Sequence, residues 1–187
     1  MSENQTVETK KEEFNLKDEI FDWIESISFS IFAVLFIFTF IFRVAVVDGS
    51  SMKPTLENSD KVMVSSLFYT PKIGDIVVVD AKGIDTFIVK RVIAHEGQTV
   101  NIDFQKGEVY VDDKLLDEPY ILEPTYLDEH GHDYPVTVPE NSYFVMGDNR
   151  NGSMDSRDAL IGFVNEKDVL GKVFFRHLPV NKFGPVK

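Results

Sequence analysis

Two kinds of hydrophobic pattern divide this chain. Residues 27–47 are twenty-one positions of which only Ser28, Ser30, Thr39 and Arg43 are not apolar, and six phenylalanines fall between Phe29 and Phe42. At ~1.5 Å rise per residue a helix over that run is roughly 31 Å long, the thickness of a bilayer's hydrocarbon core. A helix apolar on every side needs lipid or a large protein to cover it. The pattern therefore predicts a transmembrane helix over 27–47. From residue 48 onward the apolar positions come in short β-type runs: 61–68, 75–81, 86–94, 99–104, 108–111, 142–146 and 171–175. They are rich in Val, Ile, Phe and Tyr and punctuated by Gly, Pro, Asn and Asp. Lys106-Gly107 and Asp112-Asp113 read as turns, and a weak helical pattern lies at 165–169. The expected fold is mostly β, a coiled antiparallel sheet or barrel-like domain behind one N-terminal transmembrane helix.

Residues 1–26 carry eight acids and three lysines. A cleaved leader would be short and basic, with an apolar core of only ~7–15 residues, so an uncleaved anchor fits better. The division is an N-terminal segment 1–26, an anchor 27–47 and a domain 48–187. Lys10, Lys11 and Lys17 on one side against Arg43, Lys53 and Lys61 on the other leave the orientation open. Trp23 suits the near interface, and Arg43 suits a snorkelling position at the far one.

Charge and composition narrow the chemistry. The net charge is −12, and the part from residue 48 carries 15 − 23 = −8. That balance argues against nucleic acid as a partner, since phosphate neutralisation requires basic side chains. The absence of cysteine removes thiol nucleophiles, disulfides and thiolate metal sites. No cofactor or metal is implied. His130-Gly131-His132 with Asp128 and Asp133 lacks a further ligand at a metal-like spacing and reads as a solvated loop.

A nucleophile must then be Ser, Thr, Lys or a carboxylate. The stretch from Val47 through Gly49-Ser50-Ser51-Met52-Lys53-Pro54 to Leu56 follows the anchor directly. Composition alone makes it a linker. Ser50-x-x-Lys53 has the penicillin-binding spacing, but Pro54 disfavours helix at Lys53 and no K-T-G companion exists. Gly49-x-Ser51 lacks the second glycine of a nucleophile elbow, since Lys53 stands there. His95, His130, His132 and His177 sit among acids and loop residues. The remaining base is Lys90, inside the most β-prone run. By alternation Ile88, Lys90 and Val92 share one face, and Phe87, Val89, Arg91 and Ile93 the other. A solvated gatekeeper lysine is one reading. If that face is buried, desolvation lowers the amine's proton affinity and makes it a usable base.

Together these segments resemble bacterial type I signal peptidases, membrane-bound serine proteases with a Ser–Lys dyad. The resemblance lies in Ser51-Met52-Lys53-Pro54-Thr55-Leu56, in Lys90-Arg91-Val92-Ile93 with Gly97, and in the run from Gly147-Asp148-Asn149-Arg150 through Ser153 to Asp155-Ser156-Arg157. It covers nearly the whole chain. The short domain and single anchor are most similar to the Gram-positive members. The resemblance implies that Ser51 is the nucleophile, Lys90 its general base, and Ser153 the hydroxyl that bonds and orients the amine. It implies an oxyanion hole half formed by the Ser51 N–H. Some relatives have a serine at the position of Gly49 that supplies the other half. Asp148, Asp155, Arg157 and Arg91 are implied as structural support, with Asp148 paired to Arg91. The substrates would be signal peptides of secreted preproteins cut after an A-x-A site, in an extended strand beside Val47, Asp48, Met52, Phe87, Ile88 and Val89.

The same resemblance places the domain on the outer face of the cytoplasmic membrane, with the N-terminus inside and lipid as a second partner. Leu67-Phe68-Tyr69 would be an apolar tip or an ordinary strand end. One departure is Ala94-His95-Glu96-Gly97-Gln98, where the family commonly has Gly-x-Pro-Gly-Asp. A catalytically silent paralogue that binds preproteins is the alternative from another class.

Overall fold

The computed structural model describes residues 16–40, 42–67 and 69–186. Lys10, Lys11 and most of the acidic N-terminal segment lie outside the described residues, as does Phe68. The chain divides into two compact units at residues 39 and 40. The first contains helix α1 (Leu16–Phe40). Its described large apolar side chains face outward, Phe21, Phe29 and Phe32 among them. No helix among the described residues is long and apolar enough to cross a membrane.

The predicted helix over 27–47 is corrected at both ends. The helix starts earlier, at Leu16, and stops at Phe40, and Phe42–Val46 form strand β1. The reason is pairing. β1 lies antiparallel to β2 (Lys61–Ser65), with Phe42 opposite Ser65 and Val46 opposite Lys61. A run of apolar residues cannot by itself separate helix from strand. Val44, Ala45 and Val46 fit a pleated edge, and the second unit begins before β1.

The remaining strands are β3 (Ile76–Ala81), β4 (Thr86–His95), β5 (Thr99–Asp103), β6 (Glu108–Val111), β7 (Lys114–Leu115), β8 (Val136–Thr137), β9 (Ser142–Met146), β10 (Val164–Asn165), β11 (Val169–Leu178) and β12 (Gly184–Pro185). The main sheet runs β1-β2-β11-β3-β4-β9-β10, with β12 beside β11, and a smaller sheet runs β7-β6-β5-β8. All recorded pairs are antiparallel, and both paths are open at their ends rather than closed into a barrel. The weak helical pattern at 165–169 is a single 3₁₀ turn, Glu166–Asp168.

β3 explains how one sheet carries two cores. Ile76 and Val78 pack with Val47, Met52, Leu56, Val62, Val64 and Val173. Val77 and Val79 pack with Val92, Tyr143, Val145 and Val164. Strand alternation sends successive valines to opposite faces, and both faces are covered. The smaller sheet closes a third cluster, where Val100, Ile102, Val109 and Val111 meet Ile93, Phe144 and Met146. Both sequence signals for turns hold: Gly107 takes a positive φ of 75°. Asp112 and Asp113 both take positive φ, 51° and 62°, as a two-residue hairpin of matching twist requires. In the departing segment, Gln98 both accepts and donates: its Oε1 accepts from His95 N–H (3.1 Å), and its Nε2 donates to Asp112 (2.8 Å), a bond no carboxylate could give.

Candidate active site

Ser51 sits in the turn that leaves β1. Gly49, at φ 91°, starts that turn and donates its N–H to Asn58 Oδ1 at 2.8 Å. Met52 and Leu56 plug the turn into the core at 1% and 0% exposure. Ser51 is therefore anchored from beneath, and the residue as a whole is half-buried. Its carbonyl accepts from Asn149 N–H (2.9 Å), and its own N–H has no partner among the described residues.

Lys90 meets it from β4. The Nζ lies 2.8 Å from Ser51 Oγ and 3.1 Å from the Val89 carbonyl. The residue is only 3% exposed, so the gatekeeper reading fails. Burial pulls the amine down from 10.5 to about 8, against the opposing pull of Asp155, while Arg157 pushes the same way as burial.

The third segment wraps behind this pair. Gly147 lies so close that a Cβ there would meet Ser153 Oγ at 2.2 Å and the Ser51 carbonyl oxygen at 2.5 Å. Only a residue without a side chain fits between the two serines. The Asp155 carboxylate is a hub: Oδ2 accepts from Gly147 N–H (2.9 Å), Ser153 Oγ (2.8 Å) and Arg157 Nη2 (2.9 Å), and Oδ1 accepts from Arg157 Nε (2.8 Å). Asp148 grips Arg91 in the same two-pronged way, at 2.8 and 2.6 Å, and also accepts from Thr55 Oγ1 at 2.5 Å. Arg150 is fully buried and holds Glu118 at 2.6 and 2.8 Å. Bidentate arginine–carboxylate geometry of this kind fixes orientation as well as distance.

One expected contact is different. The Ser153 hydroxyl donates to Asp155, while the amine's hydrogen bonds go to Ser51 and the Val89 carbonyl. A carboxylate is the stronger acceptor, and a hydroxyl has one proton to give.

A cleft of about 340 Å³ opens over Ser51 and Lys90. Val47, Asp48, Met52, Phe87, Ile88 and Val89, the residues expected beside a substrate strand, all line it. It also takes in Ala45, Val46, Ile84 and Met154, which sequence reasoning missed. Ala45 and Val46 were hidden inside the apolar run, which by itself does not separate strand from helix. Glu118 and Tyr120 were missed as well. Tyr120 lays its ring 4.0 Å from the Arg91 guanidinium, a cation–π contact, and burial pushes its hydroxyl up to about 12. Of the tip 67–69, Leu67 is exposed, while Tyr69 is half-buried and donates its hydroxyl to Asp75 (2.8 Å).

Comparison with known proteins bears on what this site belongs to. Residues 20–178 match the profile of the family described as signal peptidase, peptidase S26. The chain belongs to that signal peptidase family. Signal peptidase I S of Bacillus subtilis is 39% identical over 92% of this chain and 97% of its own length. Signal peptidase I of Bacillus licheniformis is 36% identical over 93% of this chain and 97% of its own. A crystal structure of a signal peptidase I from Enterococcus faecalis aligns at 30% identity and a TM-score of 0.48, covering 56% of this chain and 97% of that one. In this signal peptidase, all three segments that carried the sequence resemblance converge on one cleft.

Proposed function

We propose that this signal peptidase cuts preproteins by serine chemistry, with Ser51 as nucleophile and Lys90 as general base. The observation that carries the reading is the 2.8 Å contact between Ser51 Oγ and a buried Lys90 amine. An ordinary lysine is neutral in about one molecule in 2,500 at pH 7, whereas an amine at about 8 is neutral in about one in eleven. In the neutral form the amine accepts the hydroxyl proton as Oγ attacks the scissile carbonyl carbon. The oxyanion that develops meets the Ser51 N–H, a donor typically worth ~3 kcal/mol in the transition state. Collapse breaks the C–N bond, and the Lys90 ammonium gives its proton to the departing amine. Water, deprotonated by the same lysine, then hydrolyses the acyl-enzyme and restores Ser51.

Two open strand edges support the substrate reading. Among the described residues, β1 pairs on one side only, with β2, and β4 pairs with β9 only from Arg91 onward. A preprotein segment fits between these edges as an added strand, the usual way of binding an extended peptide. The apolar side chains of Val47, Met52 and Val89 then favour small residues before the cut, as in A-x-A. Ser153, held by Asp155, has lone pairs left to receive the Lys90 ammonium as the reaction proceeds.

Attachment to the cytoplasmic membrane through α1 and the apolar residues around it, with the N-terminus inside and the domain outside, belongs to the same proposal. It is supported by the outward-facing phenylalanines of α1, which need an apolar surround. The test is incubation of the detergent-solubilised protein with a preprotein carrying an A-x-A site, beside a Ser51→Ala control. Product ending at that site with the wild type alone is the expected result. Equal cleavage by both proteins would assign the activity to another nucleophile.

A further inference from the structure

Asn149 reaches both peptide units that flank Ser51. Its backbone N–H donates to the Ser51 carbonyl at 2.9 Å, and its side-chain Nδ2 donates to the Ser50 carbonyl at 3.2 Å. The Ser50 carbonyl also accepts from Lys53 N–H at 3.1 Å, so both of its lone pairs are engaged. Asn149 immediately precedes the 3₁₀ turn Arg150–Gly152, a position where an asparagine side chain ordinarily accepts a hydrogen bond from the turn's own backbone. It makes no such bond here. The amide is aimed across the chain at Ser50 instead, over a residue with no side chain: a Cβ on Gly152 would come within 2.7 Å of Nδ2.

The consequence lies on the other side of the peptide. The Ser50–Ser51 bond is trans, so its carbonyl and its N–H point in opposite directions from one rigid plane. Holding the carbonyl from behind therefore fixes where the Ser51 N–H points, and that N–H has no partner among the described residues. The plane needs such a hold. It follows Gly49, at φ 91°, whose backbone is the least restrained of any residue type, and rotation about Ser50 ψ and Ser51 φ is enough to turn the peptide over.

We propose that Asn149 is a positioning residue for the oxyanion donor: by fastening the Ser50 carbonyl behind the peptide plane, its amide aims the Ser51 N–H at the oxyanion formed in acyl transfer. Asn149 does not itself touch the oxyanion, because the same trans geometry puts its amide on the far side of the plane. The proposal rests on the reading of Ser51 as nucleophile, and the experiment separates the two.

Full-length wild type, Asn149→Ala and Asn149→Asp in detergent are compared at pH 9.5, where Lys90 is neutral in most molecules. Aspartate keeps the shape of the side chain but has no proton to give. Two A-x-A peptides serve as probes, one ending in an aldehyde and the other in the corresponding alcohol. With the aldehyde, a bond forms from Ser51 Oγ to the carbonyl carbon as the C=O π bond opens. The hydroxyl proton passes to the Lys90 amine, and the carbonyl oxygen becomes the oxyanion. The alcohol has no carbonyl and reports ground-state binding alone. Both variants are expected to lower kcat on an A-x-A preprotein by roughly 10- to 100-fold with KM within about twofold. They should weaken the aldehyde by a similar factor while the alcohol binds as before. An aldehyde-to-alcohol affinity ratio that both variants leave at the wild-type value overturns the proposal. So does an equal loss for both probes, the mark of a merely structural role. An aldehyde no tighter than the alcohol on the wild type itself removes Ser51 as the nucleophile, and the proposal falls with it.

Discussion

The front and the back of the candidate catalytic cleft are built on opposite plans. At the back, Asp155, Asp148 and Glu118 each hold an arginine with both oxygens, and Arg91, Arg150 and Arg157 are at most 2% exposed. At the front, the amine that faces Ser51 has, among the described residues, only that hydroxyl and one carbonyl oxygen as hydrogen-bond partners. Ionic partners would hold Lys90 charged, and a charged lysine is no base. The rigidity lies one layer behind the proposed chemistry, where full pairing does no harm, and the proposed reacting groups are left sparsely bonded.

The largest effects should come from breaking the front. Ser51→Ala and Lys90→Ala are each expected to lower kcat/KM by about 10⁴-fold or more, measured on a purified preprotein. Lys90→Met should be equally inactive yet more stable. The unfolded chain binds the lysine proton more tightly than the native one, so the charge opposes folding below about pH 8. That opposition fades as the pH rises from about 8 towards 10.5. Thermal unfolding at pH 7 should show Lys90→Met gaining roughly 1–3 kcal/mol, an advantage that shrinks at pH 10.

Breaking the back should instead be a failure of folding. Asp155→Asn leaves the Arg157 cation buried beside a neutral group and is expected to cost about 3–5 kcal/mol, read by chemical denaturation. Gly147→Ala tests the seam between the two plans. Its methyl would strike Ser153 and the Ser51 carbonyl, so kcat should drop about 10- to 100-fold with KM little changed. The wild-type profile sharpens the picture further. Below about pH 8, kcat/KM should climb about tenfold per pH unit and then level off, since only the free amine is active. The smallest change is expected at the rim, where exposed Phe87→Ala should raise KM by about three- to tenfold.

Much of this contrast was written in the sequence, and unevenly. The strand pattern placed Glu108–Val111 and Ser142–Met146 to the residue, because turn residues bracket them. Lys90 stood out as the one charge among aliphatic neighbours on its face, but its burial depends on the Ser51 turn and on the segment around Gly147, both distant in the chain. β1 was illegible for a related reason: Phe42–Val46 are as apolar as the helix before them, and only β2, some nineteen positions on, declares them a strand. That the Ser153 hydroxyl donates to Asp155 was not legible, because it turns on Asp155, whose orientation depends on Arg157. Glu118 and Tyr120 carry no local signal, since their partners lie about thirty residues away along the chain.

The open edges of β1 and β4 carry one more consequence. A strand rises about 3.3 Å per residue and shows alternate side chains to alternate faces. A segment lying between those edges would present every second residue to the cleft, about 6.6 Å apart, and turn the residue between them away. On the proposed A-x-A reading, free choice at the middle residue would be a property of the pleat, inherited from backbone geometry and owed to no pocket at all.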